Sequence, residues 1–237
     1  AGYGLYMAEK QDRSLTSLKG FIFDVDGTLL ESMGVWDRLY EELFAENGLT
    51  MPRDYLFAVN HLKLADCADY TVRNTPIKLT ADEIERFWQE RALKAYSEDV
   101  ELKPYAAKLL SLLWKNGFRI GIATALGEDL FKPCLKRNGV AGFFASGTSI
   151  DEVGAGKDRP DVYIRECSKL GLRPSQCAVV EDSHIGIESA KRAGFFTIGI
   201  YDEASAEHWD TLKHYADIAA TELRQVYYAV KNALKSR

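Results

Sequence analysis

Long apolar runs are missing from this chain. No stretch approaches the ~18 consecutive apolar residues needed to cross a bilayer, which excludes a membrane-spanning helix. Cysteine is scarce, and the four present (Cys67, Cys134, Cys167 and Cys177) show no C-x-x-C spacing. That excludes a cysteine-ligated metal centre and fits buried thiols in a reducing cytoplasm, the expected location. Neither sign of charge dominates: 30 Lys+Arg stand against 35 Asp+Glu, a net charge of −5. So mild an acidic balance argues against a broad nucleic-acid or anionic-membrane footprint, and neither partner is expected. The N-terminal residues lack the charged-then-apolar order of a secretory leader, so none is expected. No internal repeat or low-complexity tract appears. What remains is an ordinary globular composition, 46% hydrophobic and 27% charged, on a chain whose 237 residues allow one large domain or two small ones.

The hydrophobic pattern resolves into α-then-β units. Phe21-Ile22-Phe23 is a run of large apolar residues, the mark of a strand buried on both faces in a parallel sheet, and Asp24-Val25-Asp26-Gly27-Thr28 ends it. A helix opened by Pro104 and closed at Asn116-Gly117 feeds a strand over Phe118–Ala123, with Thr124 at its end. A helix over Glu128–Asn138 leads to a strand expected at Phe143-Phe144-Ala145. A further helix from Pro160 to Leu170-Gly171 feeds Cys177-Ala178-Val179-Val180, which terminates in Glu181-Asp182. The last unit runs through a helix ending at Ala193-Gly194 into Phe195–Ile200. Repeated units of this kind predict an α/β fold with a Rossmann-like three-layer core, a parallel sheet flanked by helices.

The interval between the first two strands is too long for a crossover, which needs only a dozen or more residues. It holds helical patterns and no clear strand: Val35 to Asn47, a region around Tyr55–Tyr70, and a helix entered by the capping box Thr80-Ala81-Asp82-Glu83. The expected organisation is a core of residues 1–32 and 101–237, with an inserted small α-helical cap domain over 33–100.

Ligands of open α/β sheets bind beyond the carboxyl ends of the strands. There the sequence places Asp24 and Asp26, then Thr124, then Glu181 and Asp182, with Lys157 in a Gly-rich loop ahead of a helix. Carboxylates gathered without compensation repel one another, so the cluster calls for a cation, and hard oxygen ligands suit Mg²⁺. Lys157 would offset negative charge on a substrate. The set describes an anion held between a metal, a lysine and a nucleophile.

Four motifs carry a family resemblance: Asp24-Val25-Asp26-Gly27-Thr28 after an apolar strand, Thr124 at a strand end, Lys157 within Gly156–Tyr163, and Glu181-Asp182-Ser183 followed by Gly186-Ile187. Over about residues 18–200 the chain resembles the haloacid dehalogenase superfamily, in its helical-cap phosphatase and beta-phosphoglucomutase-like branch. The resemblance implies a magnesium-dependent phosphatase acting on a small phosphorylated metabolite. It makes Asp24 the nucleophile that carries an aspartyl-phosphate and Asp26 the acid and base. Thr124 and Lys157 would hold the phosphoryl group. Asp24, Asp26 through its carbonyl, Asp182 and Glu181 would hold the metal. Gly27, Thr28 and Ala125 would bind substrate at the core, and Arg53 and His61 would do so from the cap. A monomer or weak dimer is expected.

Asp26 separates the reactions of the superfamily, because dehalogenases and phosphonatases generally lack a carboxylate there. A sugar phosphomutase is the first alternative. Such mutases usually carry a cap histidine where this chain has Trp36, and a small apolar residue where it has Thr28, so hydrolysis is favoured. A non-catalytic phosphate- or protein-binding regulator is the second alternative, opposed by the intact motifs. Two further departures stand out: Tyr105 follows Pro104 where the family often has Gly, and Glu31-Ser32 replaces the common Asp-Ser.

Overall fold

Phe21, Ile22 and Phe23 have no exposed surface, so the strand they form, β2 (Gly20–Phe23), can only lie inside a sheet covered on both faces. The computed structural model describes residues 6–7, 14–59 and 62–236, and these fall into two compact units, residues 1–31 with 101–237, and 32–100.

The larger unit is built on a seven-stranded sheet with the order β1-β7-β6-β5-β2-β3-β4. Besides β2 it contains β1 (Tyr6–Met7), β3 (Arg119–Thr124), β4 (Ser146–Ser149), β5 (Cys177–Glu181), β6 (Phe196–Ile200) and β7 (Ile218–Ala220). All the pairings are parallel except that of β1 with β7. The register matters most for function. Phe23 lies level with Ile122 on one side and Val180 on the other, so Asp24, Thr124 and Glu181 emerge together at the carboxyl edge.

Smaller helices of this unit are α5 (Ala106–Lys115), α6 (Glu128–Arg137), α7 (Ile150–Val153), α8 (Asp161–Lys169), α9 (His184–Arg192), α10 (Trp209–Tyr215) and α11 (Leu223–Leu234). One buried cluster of Ile22, Val162, Tyr163, Val179 and Phe195 locks α8 against the central strands. Tyr105, ahead of α5, is the one non-glycine residue with positive φ (+68°) among those described, at the place where the family often has Gly. An L-residue there costs about 1–2 kcal/mol; its ring lies against Tyr227 at 5.6 Å.

The fourth strand is displaced from the sequence expectation. Residues Ala141–Phe143 form a 3₁₀ turn, with Phe143 edge-on to Trp114 at 6.2 Å, and the strand is the polar Ser146-Gly147-Thr148-Ser149. Two of its hydroxyls are satisfied inside the protein: the buried Glu166 of α8 accepts from Ser146 at 2.5 Å and Thr148 at 2.7 Å. Gly121 on β3 makes room, since a Cβ there would stand 2.8 Å from Glu166 Cγ. The short strands β1, at the sheet's edge, and β7, beside it, also escape hydrophobic patterning.

The second unit holds α1 (Met33–Glu46), α2 (Tyr55–Val59), α3 (Leu64–Asn74) and α4 (Ala81–Glu98). The expected helix over Tyr55–Tyr70 is therefore two helices. Thr80 caps α4 reciprocally with Glu83, as the motif predicts. Trp88 is fully buried and meets Tyr40 edge-to-face at 5.0 Å, while Tyr55 meets Phe44 at 4.9 Å; these rings form the unit's core.

Candidate active site

Beyond β2 the chain reverses within a few residues. Asp24 N–H still donates to Val180 of β5 at 2.9 Å, and the N–H groups of Thr28, Leu29 and Leu30 then all turn back on the Val25 carbonyl. Gly27 makes the reversal at φ +74°, where a side chain is strained. Thr28, completely buried by this turn, sets its hydroxyl 3.0 Å from Asp24 Oδ2 and 3.4 Å from Asp182 Oδ1. The first motif is thus a hydroxyl-braced carboxylate on a tight turn.

β5 supplies the facing acids. Glu181 Oε1 accepts from the N–H groups of Asp182 and Ser183, each at 3.2 Å, while Oε2 accepts from Tyr163 at 2.9 Å and Lys157 at 2.7 Å. Ser183 caps α9, and Gly186 in its first turn leaves room for Tyr163 and Glu181. Lys157 follows the Gly-rich loop that Gly154 opens after α7. Ser189 donates to the Lys157 carbonyl at 2.7 Å, fixing the loop to α9, and the ammonium pairs with both Asp24 and Glu181. At the end of β3, Thr124 Oγ1 accepts from Leu126 N–H at 2.9 Å, which leaves its own proton to donate elsewhere.

Asp24, Glu181 and Asp182 are all buried, and each offers an oxygen within 4.8 Å of the others. Burial pushes the Asp24 carboxyl up to about 7; Glu181 adds to the effect and Lys157 opposes it. Burial, followed by the charges of Asp24 and Glu181, pushes Asp182 well above the carboxylate range. Burial acts the same way on Glu181, but the Lys157 charge and hydrogen bond, with the neighbouring N–H groups, hold it below its ordinary value. For Lys157, burial is outweighed by Asp24 and Glu181, and the ammonium is held charged. One lysine does not balance three buried carboxyls. The donor set, oxygen only and short of positive charge, fits a hard divalent cation.

The structure brings Asp24, Thr28, Lys157, Glu181 and Asp182 into one hydrogen-bonded cluster, with Thr124 at the neighbouring strand end. Asp26 is half-buried on the turn, and Ala125 is exposed beside Thr124. Arg53 is exposed, just before α2 of the helical unit, and His61 lies outside the described residues. His184, in the first turn of α9, has its ring 4.2 Å from that of His208. Sequence reasoning missed Tyr163, whose buried hydroxyl serves Glu181. A tyrosine on the buried helix face, next to Val162 and beside the lysine loop, was the available signal.

A family model described as haloacid dehalogenase-like hydrolase matches residues 18–194. The chain belongs to the haloacid dehalogenase-like hydrolases. Among curated relatives it is 30% identical over 185 residues to hexitol phosphatase A of Escherichia coli K12, covering 77% of this chain and 82% of that protein. It is also 30% identical to protein CbbY of Rhodobacter capsulatus over 211 residues, 81% and 92% of the two chains. Its fold matches a beta-phosphoglucomutase of Clostridium difficile with a TM-score of 0.71 at 16% identity, covering 92% of this chain and 99% of that one.

Proposed function

We propose that this haloacid dehalogenase-like hydrolase is a Mg²⁺-dependent phosphatase that cleaves a small phosphate monoester through a phosphorylated Asp24. The observation that carries this reading is the sharing of Lys157 between Asp24 and Glu181 beside a third buried carboxyl, Asp182.

An Asp24 carboxylate oxygen attacks phosphorus as the bond from phosphorus to the ester oxygen breaks, and Asp26 gives its proton to that leaving oxygen. Water then attacks the phosphorus of the acyl phosphate and yields a proton to Asp26. Phosphate departs and the Asp24 carboxylate is restored. Thr124 donates to a phosphoryl oxygen, as does the backbone N–H of Ala125; Gly27 and Thr28, whose own N–H groups close the turn, shape the wall the substrate meets, and Lys157 stabilises the charge that Asp24 and the phosphoryl group share. Mg²⁺, held by Asp24, the Asp26 carbonyl, Asp182 and Glu181, would neutralise the phosphoryl oxygens. Arg53 and His61 of the helical unit are assigned to the alcohol portion of the ester.

The likeness to a beta-phosphoglucomutase fold raises a mutase as the second reading. Trp36 and Thr28, standing where mutases usually have a cap histidine and a small apolar residue, favour water as the acceptor. A panel of phosphorylated sugars and para-nitrophenyl phosphate, assayed with Mg²⁺ for the wild type and Asp24→Asn, tests the choice. Free phosphate from the wild type alone supports hydrolysis. Conversion of a sugar 1-phosphate into a 6-phosphate with little free phosphate supports the mutase, and no turnover by either protein supports a non-catalytic binding role.

A further inference from the structure

One face of the larger unit has no acidic residues on its helices. The helices α6, α8, α9 and α10 each carry both signs of charge, but α5 and α11, which pack against each other, hold only cations. Exposed Lys108 and Lys115 lie on α5, Arg224 and Lys231 lie on α11, and Lys235 follows its end; the nearest acid in sequence, Glu222, stands outside at the N-cap. None of these five cations has a carboxylate within ion-pairing range among the described residues, on a chain whose acids outnumber its bases 35 to 30. Three of them lie instead over aromatic rings: Lys108 at 4.6 Å from the Tyr105 ring, Lys231 at 5.8 Å from Tyr227, and Arg224 at 5.9 Å from Tyr228. Tyr228 and Trp114 are themselves exposed, at 42% and 56%.

We infer that the α5–α11 face docks an acidic segment of another polypeptide. Like charges without intervening acids repel one another, and a complementary surface relieves that repulsion. Arginine, tyrosine and tryptophan are the residues that anchor protein interfaces, and stacking on rings holds the cations in place before a partner arrives. A lipid surface is the weaker fit, because the face exposes no leucine, isoleucine or phenylalanine on these helices to enter the acyl region. The face lies on the helical layer of the core and uses no residue of the catalytic cluster, so it stands whether or not the phosphatase reading holds.

The probe is a fluorescein-labelled peptide of alternating Asp and Glu, about 12 residues long, enough at ~3.3 Å per residue to cover the length of either helix. Its anisotropy is followed with the full chain in about 50 mM and about 500 mM salt. The expected result is saturable binding at low salt that high salt abolishes. Binding should weaken at least about tenfold in Lys108→Glu/Arg224→Glu/Lys231→Glu and less in the corresponding triple Gln variant, with circular dichroism showing both folded. The control Lys78→Glu/Lys136→Glu/Arg173→Glu, with the same change in net charge elsewhere, should bind as the wild type does. No binding, equal binding by the triple variants, or equal weakening in the control overturns the inference. So does tighter association with vesicles rich in phosphatidylserine than with the peptide.

Discussion

The hydroxyl of Tyr163 fills the space that a side chain at position 186 would need. It donates to Glu181 at 2.9 Å, and a Cβ on Gly186 would crowd both that hydroxyl and Glu181 Cγ, the latter at 2.9 Å. The glycine of the fourth motif is therefore a spacing device for the acid beside it.

Gly186→Ala should destabilise the protein by about 1–3 kcal/mol through overpacking, and lower activity by moving Glu181. In a Tyr163→Phe background the penalty should shrink by at least about 1 kcal/mol, because the obstructing hydroxyl is gone. Urea unfolding of the four proteins in the cycle measures this. Equal penalties in the two backgrounds would separate Gly186 from Tyr163.

Lys157→Met removes the cation shared by Asp24 and Glu181. Leaving buried carboxylates without their partner should cost about 3 kcal/mol of stability, and loss of the charge at the phosphoryl group should cut kcat about 10²–10³-fold. Added Mg²⁺ should recover part of the stability but little of the rate. Melting curves with Mg²⁺ and with EDTA, beside steady-state kinetics, check both halves.

Stability of the metal-free protein should depend on pH through Asp24. Its carboxyl titrates near 7 in the folded chain, mainly because of burial, against an ordinary value of 3.8. A folded value above the unfolded one gives stability that is complete below the unfolded pKa and is lost as pH rises through the folded one. Wild type without metal should therefore lose stability relative to Asp24→Asn between about pH 4 and pH 7. Thermal melts of the two proteins in EDTA across that range supply the comparison, and a constant difference would refute the assignment to Asp24.

Asp26→Asn should reveal the proton donor through its leaving-group dependence. An alkoxide needs the proton and a nitrophenolate does not, so hydrolysis of an alkyl phosphate should fall at least about 10²-fold more than the formation of phosphoenzyme from para-nitrophenyl phosphate. Burst-phase measurements with both substrates read the difference.

The core strands and the placement of Asp24, Thr124 and Glu181-Asp182 were legible because buried parallel strands advertise themselves as apolar runs, with polar residues marking where each ends; Lys157 was legible through its Gly-rich loop ahead of a helix. β4 was not legible. Its buried side chains are Thr148 and Ser149, and the apolar pair Phe143-Phe144 just before it has a strand's composition in a segment whose first residue closes a turn. Ser146–Ser149 pairs with β3, and Glu166, 20 residues further on from Ser146, satisfies two of its hydroxyls; local periodicity carries no record of such partners. Tyr163 was hidden for the same reason: its hydroxyl matters through Glu181, 18 positions away. Tyr105 was visible as a departure after Pro104, and its left-handed backbone is the cost of that departure.

Phosphorylation of Asp24 is the step on which the functional reading turns. Protein mixed with a phosphorylated substrate and Mg²⁺, quenched in acid within milliseconds and reduced with borohydride, converts any aspartyl-phosphate into homoserine, which peptide mass spectrometry locates. Homoserine at position 24 in the wild type, and its absence in Asp24→Asn, is the expected result. Turnover of the same substrate with no modification at position 24, or with modification elsewhere, would contradict it.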